Sequence, residues 1–200
     1  MPKVGMEPVR RKALVDATLR AVGDHGSVAV TMSEIARHAG VSAALAHHYF
    51  GSKEQLLIAT FRSLLQQLRD DMVMAMQAVH TPREKLSAII RVSFHADQFR
   101  PETIAAWLAF YADAQRSEET RRLLVLYARR LRSNLVANLK RLCPADDAVR
   151  IAEGAAAMID GLYIRQSLRS APISIDSSIA LTEDYLTAHL RPFMAPGARA

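Results

Sequence analysis

His47 and His48 stand side by side in the stretch GVSAALAHHYFGSKEQLL, residues 40–57, and Tyr49 and Phe50 follow directly. Clustered imidazoles can bind a metal ion or move protons. A zinc site on one helix, however, takes ligands three or four residues apart, or adds further ligands nearby. Adjacent helical residues point about 100° apart and do not share an ion easily. His25 and His38 are near in sequence, but no cysteine or acidic cluster completes a set. No nucleophile with its base and orienting group is visible either. The residues predict no catalytic site, no metal and no cofactor. Surface packing and contact with an anionic partner remain as roles for the pair.

A second group of side chains suits a different chemistry. Trp107, Phe110 and Tyr111, in AAWLAFYADA, are spaced i, i+3 and i+4 and share one helix face. Phe94, Tyr127 and Tyr163 can join them from other helices, with Asp160 or Asp113 as a counter-charge. Aromatic faces attract a quaternary ammonium ion through the ring quadrupole. Aromatic residues at helical spacing suit a plain core equally well, and the residues alone leave both roles open. Met72, Met74 and Met76 read the same way, as core or flexible filler.

The elements that must position these groups are helices. Apolar residues recur at three and four, and strand-like alternation is scarce. Pro8 suits the first turn of a helix running to about His25, with Leu14, Thr18, Ala21 and Val22 as its inner stripe. Thr31 and Glu34 form a capping box for a second helix ending near Ala39, and Ser42 caps a short third one. Ser52 and Gln55 open a long helix to about Val79, Thr81 to Glu84 open the next to about Phe99, and Pro101 starts another. Further helices run from Ser117 towards Leu142, from about Asp146 to Ser170 and from about Asp176 to Arg191, before a tail, MAPGARA, expected to fray. Arg129, Arg130, Arg132, Lys140 and Arg141 are expected on a solvated face. The fold class is all-α.

Composition bounds the function. The 200 residues are 50% hydrophobic and carry a net charge of +6, which favours an anionic partner, nucleic acid or membrane surface. Cys143 is the only cysteine, so no intramolecular disulfide forms, in keeping with a reducing compartment. The N-terminus lacks the apolar core of a signal peptide, and no stretch reaches the ~18 apolar residues needed to cross a bilayer. The expectation is a cytoplasmic protein that does not enter the membrane.

TMSEIARHAGVSAALAHHYF, residues 31–50, has the arithmetic of a helix-turn-helix. Two short helices crossing steeply need a small residue where they meet, and Ala36 supplies it. The turn needs a residue tolerating positive φ, and Gly40 supplies that. Ile35, Val41 and either Leu45 or Ala46 can seal the angle. Together with the first helix and its DHG end, and FGSKEQLL leading into the fourth, this stretch resembles the TetR family of transcriptional regulators over residues 8–68. The resemblance implies an N-terminal DNA-binding domain at 8–68 and a ligand-binding and dimerisation domain at 69–200. It also implies a recognition helix in the major groove, with Ser42, Ala43, Ala44 and His47 nearest the bases and His48, Tyr49 and Lys53 on phosphates. Chemically, Ser42 can donate or accept, the alanines offer methyl surface to thymine, and Lys53 stands at a helix N-terminus that favours anions. Arg10, Arg11 and Lys12 can add backbone or minor-groove contacts or form a solvated face. Where the family carries a large apolar residue before the aromatic cluster this chain has Ala46, and Leu45 is the candidate to take over its packing.

Within that family, the start MPKVGMEPVRRKALVDATL, with HYF and, far downstream, AWLAFYADA, RRLRSNLV and IDGLYIR, resembles the repressors of choline-to-glycine-betaine genes. That likeness implies a palindromic double-stranded operator, a homodimer, and release by choline, a small quaternary ammonium effector. A regulator of another cationic ligand or of drug efflux is the alternative. The last two long helices are the candidates for the dimer interface. Ile151, Ala155, Ile159, Leu162 and Tyr163 lie broadly on one side, where packing within the subunit is the competing role. Bound to DNA, the protein would be associated with the nucleoid.

Overall fold

The structure is a computed structural model that describes residues 5–168 and 173–194. Among the described residues the regular structure is entirely helical. α1 spans Met6–His25, α2 Met32–His38, α3 Ala43–Phe50, α4 Lys53–Gln77 and α5 Pro82–Ser93. α6 covers Pro101–Asp113, α7 Glu118–Leu139, α8 Ala145–Ser167 and α9 Ile175–Met194. The expected end of the eighth helix at Ser170, and residues 195–200 of the tail, lie outside the described residues.

The chain forms two compact units, residues 1–66 with 100–125, and residues 67–99 with 126–200. The sequence suggested one continuous boundary near residue 68. By packing, α6 and the start of α7 instead join the first helices.

In the first unit α1 packs on α2 and α6. Leu14, Ala17, Thr18, Ala21 and Val22 are its buried stripe, as the periodicity predicts. Two backbones nearly touch here. A Cβ built on Gly23 would lie 2.3 Å from the Glu102 carbonyl oxygen and 2.8 Å from its Cα. Glycine is the residue that lets α1 meet α6. Below them, Phe61 of α4 is fully buried and stacks on Phe110 of α6, with centroids 4.3 Å apart and planes at 15°. Trp107 meets Phe61 edge-on at 5.7 Å.

The second unit rests on α5, α8 and α9. Arg83 of α5 reaches Glu183 of α9 at 2.6 Å and also donates to Ser87 and Thr187. α8 meets α9 at Gly154, where an added Cβ would lie 1.9 Å from the Tyr185 hydroxyl oxygen. That hydroxyl donates to the Ile151 carbonyl at 3.4 Å. Arg129, Arg130 and Arg132 of α7, and Lys140 and Arg141 in the turn just beyond it, are all exposed, as expected.

α5 ends at Ser93, six residues short of the expected Phe99. Two causes converge. The residue before Pro101 must be extended, and Arg100 has φ −63° and ψ 140°. Upstream, the Ser93 carbonyl accepts a hydrogen bond from the Tyr163 hydroxyl of α8, which holds this helix end.

The expected dimer stripe is also revised. Ile151, Ala155, Ile159 and Leu162 are buried within the subunit, and Tyr163 is half-buried. Among the described residues, the large apolar side chains left exposed here are Ile164 on α8, Leu168 at its C-cap and Leu181 on α9.

Candidate nucleic-acid interface and effector site

The short helices α2 and α3 are built by their caps. The Thr31 hydroxyl accepts from the Glu34 backbone N–H at 3.2 Å, and the Glu34 carboxylate takes the Thr31 N–H at 2.8 Å. These bonds from the Thr31 backbone and hydroxyl hold the Glu34 carboxyl below the usual carboxylate range. Gly40 turns the chain with φ 67°. Ser42 then caps α3, accepting from the Leu45 N–H at 3.2 Å. Ile35 and Ala36 are buried at the crossing, as the spacing requires.

The rotation of α3 follows from its one buried residue. Ala46 is fully buried, and Leu45 is only half-buried. The expectation that Leu45 takes over the packing is corrected: Ala46 keeps the inner position, and α3 lies close enough to its neighbours for a methyl group to suffice. Ser42, Ala44, His47 and His48 are therefore exposed. Ala43, three residues before Ala46, is half-buried on the flank, as are Tyr49 and Lys53.

The aromatic end of α3 is braced by α1. The Arg11 guanidinium lies 5.0 Å from the Phe50 ring centroid and 5.6 Å from that of Tyr49, and Glu7 holds it at 2.8 Å. This is a cation–π brace, where the sequence offered a backbone or minor-groove contact or a solvated face. Ser52 starts α4 by accepting from the Gln55 N–H at 3.2 Å. The Glu54 backbone N–H, and then the Ser52 hydroxyl, keep the Glu54 carboxyl below its ordinary value. Lys53 thus sits in the first turn of α4, beside backbone donors.

The aromatic residues fall into ring clusters in the two units. Trp107 and Phe110 pack on Phe61 in the first unit and are 5% and 1% exposed, which is core packing. Tyr111 is on the outer side at 38% exposed. Asp113, weighed as a counter-charge, instead accepts from the Thr120 hydroxyl at 2.6 Å and closes the α6–α7 turn. In the second unit Phe94, Phe99 and Tyr163 form a triad. Phe99 meets the other two nearly edge-on at 5.5 Å, and Phe94 lies 6.1 Å from Tyr163. Tyr127 on α7 and Asp160 on α8 are half-buried. Sequence reasoning missed Phe61 and Phe99. Phe99 could have been found by ending α5 earlier, because the extended residue before Pro101 already argued for a break.

A three-helix head with a capped helix-turn-helix, an exposed small-faced helix and Lys53 in the first turn beyond it defines the class: a helix-turn-helix transcriptional regulator. Residues 14–60 match the family model of bacterial regulatory proteins of the tetR family, and residues 82–191 that of the C-terminal domain of BetI-type transcriptional repressors. The chain is 80% identical over 191 residues to the HTH-type transcriptional regulator BetI of Rhizobium meliloti, covering 96% of this chain and 94% of that protein. It is 72% identical over 193 residues to BetI of Agrobacterium fabrum, covering 96% and 94%. Among solved structures, a transcriptional regulator from Pseudomonas aeruginosa superposes with a TM-score of 0.80 at 25% identity, covering 96% of each chain. A regulator from Saccharomonospora viridis in complex with choline superposes at 0.76 with 20% identity, covering 88% of this chain and 94% of that one. The chain belongs to the TetR family, in its BetI-type branch. It is a DNA-binding transcriptional repressor and not an enzyme. No described helix is long and apolar enough to cross a membrane.

Proposed function

We propose that this repressor shuts off genes for choline uptake and for oxidation of choline to glycine betaine, and that choline releases it from DNA. The observation that carries this is the match to BetI across both halves of the chain, 80% identical over 191 residues. The choline complex of the Saccharomonospora viridis regulator, which shares the fold, supports the ligand class. The Phe94, Phe99 and Tyr163 triad, with Asp160 on the same helix as Tyr163 and Tyr127 on α7, is the proposed seat. Phe94 and Phe99 are buried and Tyr163 is the half-exposed ring that an entering ligand would meet, whereas Trp107 and Phe110 already pack on Phe61. The protein acts in the cytoplasm, at the nucleoid, as a homodimer joined through α8 and α9. The exposed Ile164, Leu168 and Leu181 are the apolar side chains that such an interface would cover.

Choline works by its difference in affinity between the DNA-binding state and the released state. The expected result is that choline weakens binding to the operator and betaine does so less. A gel-shift titration in which saturating choline leaves the complex unchanged would sink the proposal. A thermal-shift panel of quaternary ammonium compounds and cationic drugs separates this reading from control of efflux, because the true effector raises stability with its concentration.

On the DNA side, Ser42, Ala44 and His47 face base edges, with Ala43 at the margin, and His48, Tyr49 and Lys53 hold phosphates. Tyr49→Ala and Lys53→Ala are each expected to weaken binding to all duplexes alike. Lys53→Ala should also lower the slope of log affinity against log salt by about one. Binding measured on operator and random duplex at several salt concentrations checks this. A sequence-dependent loss would contradict the assignment.

A further inference from the structure

His47 and Gly51 are tied together twice. The Gly51 backbone N–H donates to the His47 carbonyl at 2.7 Å. In return the His47 ring places Nδ1 3.0 Å from the Gly51 carbonyl oxygen. Gly51 is the C-cap of α3 with φ 76° and ψ −62°, a backbone conformation that turns its carbonyl back towards the helix and that side chains disfavour. A carbonyl oxygen only accepts, so Nδ1 must carry the proton. In the neutral ring that leaves Nε2 as a bare acceptor. His47 is exposed, and among the described residues Nε2 has no hydrogen-bond partner.

We infer that His47 reads the operator as a hydrogen-bond acceptor: at the position its Nε2 faces it selects a base that carries an exocyclic amino group, adenine N6 or cytosine N4, and rejects guanine there. This rests on the proposed placement of His47 at the base edges and adds the polarity of its contact. In the major groove guanine shows only acceptors, N7 and O6, which a bare Nε2 repels. Adenine and cytosine each show an amino donor. Ala44 lies one turn earlier on the same exposed face, so a methyl-sized apolar surface flanks the acceptor. The polarity is set by the protein before DNA arrives, because the Gly51 carbonyl fixes the tautomer. A ring fixed in this way loses little freedom on binding.

Two measurements on the full-length protein test it. The first is nitrogen-15 NMR of the histidine rings without DNA, at a pH where imidazoles are neutral, with His47 assigned by loss of its signal in His47→Gln. The expected result is a protonated Nδ1 and an unprotonated Nε2; the opposite tautomer overturns the inference. The second uses the tightest palindrome recovered by selection from a random duplex pool. Adenine is replaced by purine, or cytosine by 2-pyrimidinone, at one symmetric position at a time. At one position wild type should lose roughly three- to tenfold in affinity, the worth of one hydrogen bond, and His47→Ala should be indifferent there. If His47→Ala instead abolishes sensitivity to 7-deazaguanine, His47 is a donor and the inferred polarity is wrong while the base contact stands. If His47→Ala changes no base dependence at all, the underlying placement at the base edges fails as well. The two failures are therefore distinct.

Discussion

Phe61→Ala is expected to destabilise the protein by about 3–5 kcal/mol, a fall in Tm of roughly 6–20 °C for a chain of this size. Phe61 is fully buried, and it joins two rings of α6: face to face with Phe110 at 4.3 Å and edge to face with Trp107 at 5.7 Å. Truncation removes the transfer energy of the ring and leaves a cavity between two rings that cannot both collapse into it. Each lost ring pair adds about 0.5–1.5 kcal/mol beyond its area. Phe61→Leu keeps most of the volume and should lose less than half as much. Thermal and denaturant unfolding at fixed protein concentration read the effect. A loss below about 1 kcal/mol for the alanine variant would show that the rings repack, contrary to this account.

The second large effect is expected at Gly23. The neighbour of an added methyl is backbone, the Glu102 carbonyl oxygen at 2.3 Å and Cα at 2.8 Å, and backbone within α6 cannot rotate aside as a side chain can. Gly23→Ala must therefore part α1 from α6. Overpacking of this kind costs about 1–3 kcal/mol, against the roughly 1 kcal/mol that alanine ordinarily gains over glycine in a helix. The expected outcome is a net loss of stability, together with weaker operator binding, because α1 also packs on α2 and braces the end of α3 through Arg11. If Gly23→Ala unfolds at the wild-type temperature or above, the close approach is not a constraint on the folded protein.

What was legible in the sequence was local. The Thr31–Glu34 box, the Ser42 cap and the Gly40 turn are settled by residues within a few positions of one another, and so were the helix-turn-helix and the family resemblance. The end of α5 was only partly legible: the extended residue before Pro101 argued for a break, and the bond from Tyr163 that holds the helix end comes from seventy residues away. The inner face of α8 was found, but its role was not. Ile151, Ala155 and Ile159 sit in a helix apolar on several sides, so periodicity could not tell packing within the subunit from packing between subunits. The aromatic set divided for the same reason: spacing put Trp107 and Phe110 on one face, and only the fold shows Phe61 already lying against it. The departure at Ala46 was visible, but its consequence was not, since how near α3 approaches its neighbours is a property of the whole head.

The contact between Gly154 and Tyr185 settles something that alanine leaves open. The run Ile151 to Met158 reads IAEGAAAM, and a helix surface of methyl groups is smooth, giving a neighbour little reason to stop at one position rather than the next. Gly154 is the single gap in that run, and the Tyr185 ring fills it. Sliding α9 by one residue along α8 would bring the phenol against a Cβ and strip its hydroxyl from the Ile151 carbonyl. One missing methyl and one phenol thus fix the register of the two helices through which the subunits are proposed to meet.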